Sequence, residues 1–127
     1  YGFDDGIFAA LKLLEILSSK ESTTHEVFNK FTQLFNTPEI KIAVEDDEKF
    51  EIVEQLKVKL KPEGYNSILI DGLRLENKDC WGLVRASNTT PSLILRFEAN
   101  SEKKLMEIQE LFQKTLLEIN KNLKFLN

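Results

Sequence analysis

The sequence predicts an α+β fold: a C-terminal β-α-β-β-β-α unit whose antiparallel sheet is covered by helices, preceded by two further helices. Three observations predict it. The spacing of apolar residues changes from helical to alternating at residue 39. Between residues 67 and 86, three short β-prone runs are parted only by turn residues. Such connections are too short for a parallel crossover, so those strands pair antiparallel. From Ser101 onward, Leu105, Ile108, Phe112, Leu116, Ile119 and Leu123 recur every three or four residues. That single stripe marks a helix lying on one face of a sheet.

The first helix is "DDGIFAALKLLEILSS". Asp4 and Asp5 suit its N-terminus, and its apolar residues fall on nearly every side, so it expects cover on most sides. In the second, Thr23 and Glu26 form a capping box, and Val27, Phe28, Phe31, Leu34 and Phe35 give an apolar stripe. Asn36-Thr37-Pro38 is expected to stop that helix. "EIKIAV" then reads as a strand. "EDDEKFEIVEQLKVKL" reads as a helix with acids in its first turn and Phe50, Val53, Leu56 and Leu60 on one face. Pro62 and Gly64 end it. Strands are expected over about residues 67–71, 73–77 and 80–86, with Gly72 and Asn77-Lys78-Asp79 at the turns, and again at "SLILRFEA". Residues 38–127 thus read as a complete small domain. Residues 1–37 read as the helical tail of a preceding one, with more apolar surface than two helices can bury mutually.

A chain of 127 residues, 42% hydrophobic and 30% charged, suits one ordinary globular domain. The net charge of −4, with scattered lysines, argues against a nucleic-acid partner. No apolar run reaches the ~18 residues of a membrane-spanning helix. The single cysteine, Cys80, excludes an internal disulfide and fits a reducing, cytoplasmic compartment. The start at Tyr1, with no signal peptide and no initiator methionine, suits a piece of something longer or a chain freed of a tag.

No catalytic constellation is visible. His25 reads as a solvated first-turn residue and Cys80 as a small buried hydrophobe. The run Glu45-Asp46-Asp47-Glu48 reads as charge complementing a helix N-terminus rather than a metal site. The segment Arg85-Ala86-Ser87-Asn88-Thr89-Thr90-Pro91 is different. It joins two apolar strands without a glycine, and it gathers an arginine, three hydroxyls and an amide. All three arginines, Arg74, Arg85 and Arg96, fall within 23 residues. An arginine fork matches a phosphate or carboxylate, hydroxyls and loop N–H groups add donors, and Asn88 tolerates a left-handed backbone. On the residues alone, a phosphate clamp and a turn whose hydroxyls cap its own backbone both remain open. Arg74 and Arg96 are expected in surface ion pairs, the latter with Glu98 or Glu76.

At this loop the stretch "DGLRLENKDCWGLVRASNTTPSLILRFEA" closely resembles the C-terminal domain of the α-D-phosphohexomutases, in particular the bacterial phosphomannomutase/phosphoglucomutase group. The family loop has the form R-(A/P)-S-(N/G)-T-x-P. "YGFDDGIFAALKLLEIL" resembles the end of the family's third domain, so the likeness covers essentially the whole chain. It implies a fold similar to the TATA-binding-protein class and a parent isomerase of four domains. That enzyme interconverts hexose 6-phosphate and hexose 1-phosphate through a phosphoserine, Mg2+ and hexose 1,6-bisphosphate. By position, Arg85, Ser87, Asn88 and Thr89, with Thr90 a weaker candidate, would hold the substrate's non-transferring phosphate.

Nothing here resembles the family's T-A-S-H-N-P, D-G-D-G-D-R or G-E-M-S-G-H segments. The chain alone is therefore expected to be inactive, to contribute no catalytic or metal-binding residue, and to bind no cofactor. Its expected partners are a phosphorylated hexose and the parent's other domains, with no nucleic acid and no membrane. A non-catalytic interaction or phosphate-binding module is the alternative.

Overall fold

The computed structural model describes residues 4–125 of the chain. The chain divides into two compact units, Tyr1–Gln33 and Leu34–Asn127. The first holds helices α1 (Gly6–Ser18) and α2 (Thr24–Phe28). Asp5 caps α1 by accepting the Phe8 N–H at 2.9 Å. The expected capping box at α2 is present: Thr23 Oγ1 accepts the Glu26 N–H, and Glu26 returns a carboxylate oxygen to the Thr23 N–H at 2.8 Å. Neither helix contains a buried residue.

In the second unit the order is β1 (Phe35–Asn36), β2 (Ile40–Ala43), α3 (Lys49–Lys59), β3 (Asn66–Ile68), β4 (Leu73–Glu76), β5 (Cys80–Ala86), β6 (Ser92–Ala99) and α4 (Glu102–Ile119). Among the described residues these strands form one antiparallel sheet, ordered β1-β6-β5-β4-β3, with β2 also paired to β6. The fold is α+β, as expected.

β1 and β2 share one edge of β6, broken where Pro38 has no N–H to donate. Thr37 bridges the break. Its N–H donates to the Phe97 carbonyl at 3.0 Å, and its hydroxyl accepts the Phe97 N–H at 3.1 Å. Burial alternates strictly along β4 and β5, so one sheet face meets α3 and α4 and the other stays open. Phe97 and Phe112 pack edge-on there, with ring centroids 5.4 Å apart. Gly82 makes room for both, because a Cβ at that position would lie within 3 Å of each ring.

Three expectations are corrected. The second helix ends at Phe28 rather than near Asn36, and Phe35 lies in β1 opposite Ala99. An open edge on β6 offers ladder hydrogen bonds that outweigh the helical spacing of Phe31 and Phe35. Phe50 is exposed; Ile52 takes the core position beside Val53, Leu56 and Leu60. The strand expected over 67–71 spans Asn66–Ile68, and Leu69 and Ile70 are exposed beyond it.

Candidate functional site

The β5–β6 connection carries the segment singled out above. Arg85 is the penultimate residue of β5 and, by the alternation of that strand, projects on the open sheet face. Ser87 N–H donates to the Ser92 carbonyl at 2.9 Å and closes the hairpin. Ser87 is buried, whereas Asn88, Thr89, Thr90 and Pro91 are exposed. The structure therefore brings Arg85, Ser87, Asn88, Thr89 and Thr90 together at one end of β5.

Ser87 Oγ is the hub of the loop. It accepts the N–H groups of Thr89 at 3.4 Å and Thr90 at 3.2 Å, and the Thr90 hydroxyl at 2.8 Å. Thr90 Oγ1 also lies 2.7 Å from Ser92 Oγ. A hydroxyl has one proton, so with Thr90 donating to Ser87, Ser92 is the donor in the second bond. The Ser87 proton then has no acceptor among the described residues. The side chains of Asn88 and Thr89 have no partner there either. The loop is thus in part self-capped, through Ser87 and Thr90, and in part unpartnered. Asn88 does not use the left-handed backbone it could tolerate, since no described non-glycine residue has positive φ.

Arg85 makes no hydrogen bond to a described residue through its guanidinium. Its nearest carboxylate is Asp71, with Nη1 to Oδ2 at 3.8 Å, an ion pair at the limit of contact and open to solvent. Asp71 is brought there by Gly72, whose φ is +85°. A Cβ at Gly72 would strike the Val84 carbonyl oxygen and the Arg85 Cα, so only glycine lets this turn lie against β5.

The other two arginines lie on the same open face, on either side of Leu83 in the register. Arg74 donates from Nε to Glu76 at 2.8 Å and stacks on Trp81, with Cζ 4.1 Å from the ring centroid. Trp81 in turn donates to Glu98 at 2.9 Å. Both carboxylates expected for Arg96 are thus engaged, and Arg96 has no ion pair among the described residues.

Two groups that pattern reading passed over support the loop. Val44 N–H donates to the Pro91 carbonyl at 3.1 Å. Lys49, with its side chain only 5% exposed, sends its ammonium to Asp46 at 2.7 Å and to the Thr90 carbonyl at 3.4 Å. The charge run before α3 hid Lys49, because a lysine at a helix start reads as solvated. Elsewhere, His25 Nε2 on α2 lies 2.9 Å from Nδ2 of Asn29, the residue that caps the end of that helix, and Cys80 is buried beside Tyr65 and Asn77. No three His, Cys, Asp or Glu side chains among the described residues come together as a metal-binding group.

Comparison with known proteins identifies the lineage. Residues 39–115 match the family model of the phosphoglucomutase/phosphomannomutase C-terminal domain. The chain belongs to the phosphoglucomutase/phosphomannomutase family. It is 46% identical over 123 residues to a phosphomannomutase/phosphoglucomutase of Pseudomonas putida, covering 97% of this chain and 27% of that protein. It is also 46% identical over 125 residues to a phosphoglucomutase of Neisseria meningitidis serogroup B, with the same coverages. A crystal structure of a phosphoglucomutase/phosphomannomutase family protein from Burkholderia thailandensis superposes with a TM-score of 0.80 at 35% identity, over 98% of this chain and 26% of that one. The chain thus spans about a quarter of the length of the relatives it matches. Among the described residues no helix is long and apolar enough to cross a membrane.

Proposed function

We propose that this chain is the phosphate-gripping C-terminal portion of a cytoplasmic phosphohexomutase that interconverts hexose 6-phosphate and hexose 1-phosphate. Residues 38–127, with the β1 segment from Leu34 that pairs with β6, form the binding domain, and the residues before Leu34 belong to the domain before it. Arg85 offers two parallel N–H donors to one phosphate edge, the geometry in which arginine outperforms lysine. Ser87 donates its free hydroxyl proton. Asn88 and Thr89 add an amide and a hydroxyl from the exposed side, and Thr90 acts mainly as scaffold through Ser87 and Ser92. The serine nucleophile, the Mg2+ site and the hexose 1,6-bisphosphate intermediate belong to the rest of such an enzyme. Charge neutralisation and positioning are what phosphoryl transfer asks of this portion.

The observation that carries this reading is the division of labour in the loop. Its Thr90 and Pro91 carbonyls are bonded, while the Arg85 fork, the Ser87 proton and the side chains of Asn88 and Thr89 have no hydrogen-bond partner among the described residues. The test is a titration of the 15N-labelled chain with millimolar glucose 1-phosphate. Amides of residues 85–90 should shift, and Arg85→Ala should weaken binding by the ~1.5–3 kcal/mol of hydrogen bonds to a charged group. Shifts elsewhere with that loop unmoved would refute the reading.

A further inference from the structure

Among the described residues, Lys49 is the only buried side chain that carries a charge. It opens α3, where a cation opposes the helix dipole, and it is buried, where a charge loses its hydration. Its compensation is thin: Asp46, itself 74% exposed, the Thr90 carbonyl, and the face of Phe50 with the ammonium 5.1 Å from the ring centroid. An apolar side chain would fill the same space without either penalty.

The position of the ammonium suggests what offsets them. A loop that grips an anion must keep its carbonyl oxygens away, because a carbonyl facing a phosphate repels it. Three donors engage two of this loop's carbonyls: Ser92 N–H and Lys49 Nζ on Thr90, and Val44 N–H on Pro91. Two of these are backbone groups on neighbouring strand segments. Lys49 is the only side chain among them and the only charge.

We propose that Lys49 is a positioning residue of the phosphate loop: its buried ammonium draws the Thr90 carbonyl inward and sets a fixed positive charge behind the anion site. The inference rests on the phosphate-binding reading above.

The probe is inorganic phosphate, followed on the loop amides of the whole chain. Lys49→Met keeps the aliphatic stem and removes donor and charge. It should weaken phosphate binding about tenfold, the loss of one charge-assisted contact, and shift the Thr90 and Ser92 amides in the free protein. It should also make the dissociation constant less sensitive to sodium chloride, which a purely structural lysine would not do. Lys49→Arg should restore most of the affinity. If Lys49→Met does not fold, Lys49→Gln, which keeps a donor but no charge, is measured instead with the same expected loss. Phosphate affinity unchanged in these variants, while Arg85→Ala weakens it, would overturn the role of Lys49 alone. No phosphate binding by the unmodified chain would overturn the site and this inference together.

Discussion

Helices α1 and α4 begin alike and end up differently. Each has a side-chain N-cap, Asp5 on the Phe8 N–H at 2.9 Å and Ser101 on the Lys104 N–H at 3.4 Å. Yet α4 buries Ile108, Phe112 and Leu116 completely, while α1 leaves Ile7, Leu11, Leu14 and Ile16 at least half exposed. Capping and propensity therefore say where a helix starts, and a partner surface says whether its apolar side chains contribute stability. In α4 the stripe is one-sided and the sheet matches it. In α1 apolar residues run all round, a pattern that suits burial within a larger body.

The sharpest way to break that comparison is to truncate one apolar side chain in each unit. Phe112→Ala should destabilise the second unit by ~3–5 kcal/mol, read from urea unfolding followed on Trp81 fluorescence. Leu14→Ala should change the same midpoint by less than ~0.5 kcal/mol. Equal losses would mean that α1 is as firmly packed as α4.

Gly72→Ala should follow at ~1–3 kcal/mol, the scale of a strained backbone at positive φ. Because that turn lies against Arg85, phosphate binding should weaken in the same variant. Lost stability with intact affinity would separate the turn from the site.

The third contrast is in pH. Its hydrogen bonds to the Thr23 N–H and hydroxyl hold the Glu26 carboxyl below the usual glutamate value of 4.5. A depressed folded value stabilises the α2 cap above the ordinary carboxylate range, and that contribution is lost as pH falls through the folded value. Burial, and next the hydrogen bond with Cys80, push the Tyr65 hydroxyl from 10.0 up to about 12. A raised folded value stabilises below pH 10.0 and is lost as pH rises toward about 12. Acid should thus loosen α2 while alkali loosens the second unit, as carboxyl 13C shifts and tyrosine absorbance would report. Thr23→Ala should remove only the hydroxyl's share of that lowering, since the N–H at position 23 remains, and should weaken the α2 cap by about 1 kcal/mol. Melting of both units at the same pH extreme would end the distinction.

Much of both units is legible in the residues. The stripe of α4, the alternation of β4 to β6 and the capping box at Thr23 are local signals with one physical meaning each. The end of α2 is not legible, because Phe31 and Phe35 keep helical spacing while the edge of β6, more than 60 residues later, claims Phe35. Phe50 and Ile52 are equally apolar neighbours, and only the tilt of α3 on the sheet decides that Ile52 enters the core. At the candidate site, Arg85 through Thr90 declare themselves as a cluster of donors. Which of those donors face inward is a matter of hydrogen-bond geometry that spacing does not encode.

The amino-acid sequence by itself determines the α+β class, the strand and helix order of residues 38–127 and the donor-rich loop, because propensity, period and turn chemistry act over a few residues. Only the tertiary structure decided that Ser87 is the hub of the loop, that Gly72 backs onto Arg85, and that Lys49 reaches Thr90 from 41 residues away. The last two are contacts between distant segments, which depend on how whole elements pack, and the first depends on hydrogen-bond geometry within the turn; residue type and spacing contain neither.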